Sequence, residues 1–177
     1  MPEPVHRPLA VSQEDAGAFL NLPVSSRILM MLGAIDSRKG VIQLMDAYRK
    51  ARPRDMTLVL MGLLYPDVKA TVLQLANEIG PGSCVVRNQM LTPERFQLAL
   101  AACDWQALTY QGHYWSSGIL VRAAAHQRPV IATSLGWIGQ ATTRYGLGIT
   151  CDASSLPSIA MGINQLGTLP QYGGSKA

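Results

Sequence analysis

Six short apolar runs recur along this chain, separated by segments whose apolar residues fall at helical spacing. That alternation leaves few folds open. Ile28–Leu32 closes on Gly33 and Thr57–Met61 closes on Gly62. Cys84–Val86, Trp105–Thr109, Pro129–Thr133 and Gly148–Cys151 follow. Runs this short and this apolar read as strands buried on both faces. Between them, Val41, Leu44, Met45 and Tyr48 share one helical face. So do Val68, Val72, Leu75, Ala76 and Ile79, stopped by Gly80-Pro81-Gly82. Thr92-Pro93-Glu94 opens a helix with a capping hydroxyl and a proline in its first turn. Further helices are expected from Ser116-Ser117-Gly118 to about Gln127, over Gly136–Tyr145 and over Leu156–Leu166. Strands that alternate strictly with helices form a parallel sheet covered on both sides. The expected fold is therefore α/β, a doubly wound, Rossmann-like parallel six-stranded sheet in the order 3-2-1-4-5-6.

A length of 177 residues suits one such domain. Residues 1–24 are Pro-rich and poorly periodic and read as a linker, with a short helix near Asp15–Leu20. Residues 25–167 carry the regular pattern, and 168–177 have the composition of a flexible tail. With 48% hydrophobic and 15% charged residues, the chain is too apolar for disorder. The longest apolar stretches, such as Leu58–Leu64, fall far short of a bilayer span, so no transmembrane segment is expected. The N-terminus lacks a basic-then-apolar signal pattern. Cys84, Cys103 and Cys151 lie far apart, with no C-x-x-C pair, which argues against a disulfide framework or a zinc cluster. A cytoplasmic location is expected. A net charge of +4 suits an anionic partner without naming one, and no nucleic-acid partner is expected.

After the first strand, Gly33-Ala34-Ile35-Asp36-Ser37-Arg38-Lys39-Gly40 matches neither G-x-G-x-x-G nor the P-loop. No His/Glu spacing suggests a metal, and no G-x-S-x-G elbow is present. The most informative stretch is Tyr110–Thr133, where a strand ends, a Gly- and aromatic-containing loop follows and a helix begins at Ser116-Ser117-Gly118. Unpaired amides at a helix start, flanked by small residues, can receive a phosphate. Ser116 or Ser117 could equally serve only as the helix cap.

Taken in order, several segments carry a family resemblance. They are Gly33…Lys39-Gly40, Leu58–Gly62, Ser117–Val121, Ala123-Ala124-Ala125 and Arg128–Ala132. Together they resemble the C-terminal domain of group 1 glycosyltransferases, retaining enzymes with the two-domain GT-B fold. The resemblance covers about residues 25–167. It implies a nucleotide-sugar donor as substrate, with no cofactor and no metal, in glycan or glycolipid biosynthesis. By the same resemblance Lys39 would hold the diphosphate, with Ser116, Ser117, Gly118 and Ile119 as the phosphate-cradling turn. The base would lie around Arg87 and Asn88. Where the family has an Arg after the first-strand Gly, this chain has Ala34, and the family's two Glu correspond to Tyr114 and Arg122. His113, Tyr114 and Arg122 are then candidates for sugar or ribose contacts, and Trp115 for stacking on a sugar. The catalytic residues are left open.

The resemblance also implies an acceptor-binding partner domain, with the chain starting in the connection between the two halves. A donor half alone would transfer little or nothing, because holding the acceptor against the donor supplies much of the catalysis. A non-catalytic interaction module with a degenerate donor site is the alternative. A related doubly wound protein, such as a nucleotide-sugar epimerase, is a third.

Overall fold

A computed structural model describes residues 8–23 and 25–169. Six strands form one all-parallel sheet: β1 (Arg27–Leu32), β2 (Met56–Gly62), β3 (Cys84–Asn88), β4 (Trp105–Leu108), β5 (Val130–Thr133) and β6 (Gly148–Cys151). Their order is β3-β2-β1-β4-β5-β6, as the alternation predicted. Parallel neighbours need a crossover, and here a helix fills each one. These are α2 (Val41–Ala51), α3 (Pro66–Ile79), α4 (Pro93–Ala102), α5 (Gly118–Ala125) and α6 (Gly136–Arg144), with α7 (Leu156–Leu166) after β6.

The period of two along the strands divides the core. Leu29 and Met31 face one side with Leu58 and Leu60, under α2, α3 and α7. Met30 and Leu32 face the other with Val59 and Met61, under α4, α5 and α6. All these strand residues are buried, as are Met45, Cys84, Cys103 and Cys151. Helix starts match their local chemistry. Thr92 caps α4 by accepting the Arg95 amide at 3.2 Å, and Pro93 occupies the first turn.

A helix α1 (Gln13–Phe19) occupies the segment read as a linker. Ser12 caps it by accepting the Asp15 amide at 3.0 Å, and it packs on α4 with Ala16, Leu20 and Leu22 buried. The short helix expected near Asp15–Leu20 is thus present, starting two residues earlier; its packing left little local signal, because only Ala16 and Gly17 within it are buried. The rest of the 1–24 reading falls at residues 1–7 and 24, and most of the tail reading at 170–177, outside the described residues. Among the described residues, no helix is long and apolar enough to cross a membrane.

Candidate functional site

The strand order reverses between β1 and β4, and a cleft opens there at the carboxyl ends of the strands. This is where doubly wound folds place ligands. Its floor depends on close backbone approach. A Cβ added to Gly62 would lie 1.9 Å from the Gly33 carbonyl oxygen, so the ends of β1 and β2 meet here only because residue 62 is glycine. Gly33 has φ +89°, which turns the chain off β1.

The turn that follows carries the cations. Asp36 accepts the Arg38 amide at 3.1 Å, and one turn of 3-10 helix spans Ser37–Lys39. Gly40, in the left-handed region, ends that turn against the Thr109 carbonyl, where a Cβ would approach to 2.1 Å. The end of β4 braces the same turn. The Thr109 hydroxyl donates to the Lys39 carbonyl at 3.1 Å, and the Gln111 amide donates to the Arg38 carbonyl at 2.8 Å.

Lys39 is bent back over the floor. Its ammonium donates to the Leu32 carbonyl and stands 3.3 Å from the position a Gly33 Cβ would take. Burial pushes its pKa down to about 8, the nearby Asp36 opposes that fall, and Arg38 adds to it. Asp36 does not pair with the lysine. Its carboxylate accepts Arg38 Nε at 3.0 Å and Nη2 at 2.6 Å. Among the described residues, the half-buried ammonium therefore keeps only a carbonyl partner.

Facing Lys39 is the start of α5. Ser117 occupies the N-cap position without capping, because its buried hydroxyl lies 3.4 Å from the Tyr110 hydroxyl. No side chain covers the first-turn amides of Gly118 and Ile119. Ile119 Cδ1 and the Phe96 ring come within 3.8 and 3.9 Å of the same Gly33 Cβ position as Lys39. Ser116, Ser117, Gly118, Ile119, His113 and Arg122 all line this cleft, which has a volume of about 350 Å³. The His113 ring packs on Tyr110, centroids 4.8 Å apart, and its Nε2 is 3.4 Å from the Ser116 carbonyl. The Arg122 guanidinium lies 5.1 Å above the Phe96 ring.

Four expected positions lie elsewhere. Arg87 donates to the Asn21 carbonyl at 3.2 Å, and Asn88 accepts the Leu64 amide at 2.9 Å. Neither lines the cleft: β3 is an edge strand, separated from β1 by β2, and both side chains are taken up in holding loops. Tyr114 is 60% exposed and outside the cleft lining, its carbonyl bonded by the Trp137 amide at 3.1 Å. Trp115, 76% exposed, is likewise outside it.

Sequence reading missed Arg38, Phe96 and Tyr110 as cleft residues. Arg38 could have been found as the neighbour of Lys39 in the same short turn. Phe96 gave no signal, because nothing local indicates that α4 turns an aromatic ring toward the end of β1. Phe96 and Arg122 also line a second hollow of about 250 Å³, with Leu91, Pro93, Leu100 and His126 among its walls. Burial, with Arg128 nearby, lowers the His126 pKa. Among the described residues, no cluster of His, Cys, Asp or Glu could hold a metal.

No protein-family model and no curated protein sequence matches this chain. Solved structures do. The C-terminal domain of the group 1 glycosyltransferase LpcC from Francisella tularensis superposes with a TM-score of 0.78 at 19% identity, over 93% of this chain and 86% of that one. Sucrose-phosphate synthase from Thermosynechococcus elongatus gives 0.74 at 23% identity, over 91% of this chain and 40% of that one. Anabaena HepE, solved with UDP and glucose, gives 0.69 at 18% identity, over 86% and 41%. The chain thus spans most of an isolated C-terminal domain and about two fifths of the longer chains. The fold is that of the C-terminal half of a GT-B glycosyltransferase.

Proposed function

We propose that this chain is the donor-binding half of a glycosyltransferase and that its cleft holds the diphosphate of a nucleotide-sugar. One observation carries the reading. An ammonium without a carboxylate partner faces the uncapped start of α5 across a cleft at the strand-order reversal. Two positive features aimed at one small space suit a diphosphate better than any neutral group. The similarity to glycosyltransferase halves supports the nucleotide-sugar class, and HepE was solved with UDP and glucose. In this reading Lys39 holds the β-phosphate, and the Gly118 and Ile119 amides hold phosphate oxygens. The base lies in the hollow lined by Leu91 and Phe96 rather than at Arg87 and Asn88. His113, beside the phosphate turn, is placed to hydrogen-bond the sugar. Transfer to an acceptor would draw on a second domain, as in the two-domain proteins it resembles.

A second reading is binding without transfer, favoured by a cleft lining that contains no carboxylate among the described residues. Thermal-shift measurements with UDP, GDP, ADP and their sugar conjugates test the donor site. A bound nucleotide at a hundred times its Kd should add about 2.7 kcal/mol of stability. That shift should disappear in Lys39→Ala. If no nucleotide shifts the melting of the folded chain, the donor site does not function.

A further inference from the structure

Arg122 is the cation that the diphosphate reading leaves unused. It lies one turn into α5 from the Gly118 and Ile119 amides and forms no ion pair among the described residues. Its guanidinium rests on the Phe96 ring, 5.1 Å from the centroid. Phe96 and Arg122 are the two residues shared by the cleft and the second hollow, whose walls also include Gln97 and His126. Arg122 therefore stands where a ligand passes from its phosphates to its flat apolar part. In a nucleotide that passage is the ribose.

Ribose hydroxyls are usually read by a carboxylate, which accepts their hydrogen bonds. None lines this cleft among the described residues. Asp36, the acid nearest Lys39, is occupied by Arg38. A guanidinium offers donors and no acceptor, so it cannot receive a hydroxyl proton. It matches a phosphate in a two-pronged geometry, and in dinucleotide sites an arginine on another element, beside the ribose, accommodates a ribose phosphate.

We infer that Arg122 is a specificity-determining residue that selects a nucleotide carrying a phosphate ester on its ribose in addition to its 5′-phosphate. This rests on the nucleotide reading above. The phosphate ester sits against the guanidinium, Phe96 holds the arginine in place from below, and the base continues into the second hollow. Lys39 and the start of α5 keep the 5′-phosphate whether or not the second one is present.

The test is calorimetric titration of the whole chain with the 5′-monophosphates of adenosine, guanosine and uridine. The matching 2′,5′- and 3′,5′-bisphosphates are titrated beside them. One base should show a bisphosphate binding about ten- to hundredfold tighter than its monophosphate, the value of one charge-assisted contact. Arg122→Gln should collapse that preference to within about threefold, and Arg122→Lys should restore part of it. Arg49→Gln, a distant cation on α2 paired with Asp46 and Glu78, should leave it unchanged. Lys39→Met should weaken mono- and bisphosphates alike. Nucleotide binding that depends on Lys39 but shows no bisphosphate preference overturns the inference and leaves the donor reading standing. So does a preference that survives Arg122→Gln. If no nucleotide binds the folded chain, both fall.

Discussion

Lys39 was legible as a candidate from its place after the first strand; its state was not. The sequence shows a lysine in a basic stretch, whereas the structure shows an ammonium bent over Gly33 and bonded to the Leu32 carbonyl. The consequence is a pH dependence whose sign can be worked out. A pKa lowered from 10.5 to about 8 means that the unfolded chain binds more protons between those values. Stability from this group therefore rises with pH through that window, and below it the buried charge weighs on the fold. Lys39→Met should be more stable than the native chain at pH 7 by about 1–2 kcal/mol, a figure discounted for water at the exposed part of the side chain. The gap should close as pH approaches 10.5, which urea denaturation of both proteins at pH 7 and pH 10 would show. A bound phosphate reverses the preference, because it stabilises the charged form. Phosphate-ligand affinity should fall roughly ten- to thirtyfold between pH 7.5 and 9.5, as the free protein loses the proton that binding requires. Titration at the two pH values measures this, and a flat profile would mean that Lys39 does not contact the anion. Arg87 and Asn88 teach the opposite lesson: polar residues at a strand end looked available, yet both are engaged in loop contacts.

At the scale of elements, the two glycines that close the first two apolar runs are where β1 and β2 touch. Gly62 has φ +145°, and its Cβ would fall 1.9 Å from Gly33 backbone. The neighbouring atom is a carbonyl in the floor of the cleft, which has no rotamer to escape into. Gly62→Ala should cost about 3 kcal/mol or more, or prevent folding. Gly82→Ala meets nothing within 4 Å and should change stability by less than about 0.5 kcal/mol. Chemical denaturation of the pair separates close packing from a general intolerance of replacing glycine. All six strands and the helices that follow them were readable because their signals are local, as with Thr92 and Pro93 at the start of α4. Helix α1 was legible as a short helix, but its packing on α4 was not, since the Gln13 bond to the Ala102 carbonyl joins residues 89 positions apart.

Across the whole molecule, both faces of the sheet are sealed, and the three cysteines report on that seal. Cys84 and Cys151 lie on the α2, α3 and α7 side, and Cys103 lies on the other. Burial pushes each thiol up to about 12, so almost no thiolate exists at pH 8. A thiol-reactive disulfide reagent should find no fast-reacting group in the folded protein and all three in denaturant. The three should become reactive together across the unfolding transition, because both layers share one sheet. Early release of one thiol would mean that the two layers open separately.

The sequence by itself determined the sheet, its strand order and the position of Lys39 and the turn before α5, because strand and helix periods, caps and glycine stops act over a few residues. Tertiary structure alone decided which side chains share the cleft. Phe96, Tyr110 and Arg122 line one cleft with Gly33 from three different segments, and only the crossovers that place β4 beside β1 bring them there. It also left the cleft lining without a carboxylate among the described residues while tying Asp36 to Arg38. Pairing of charges is set by distance in space, which the order of residues along a chain does not record.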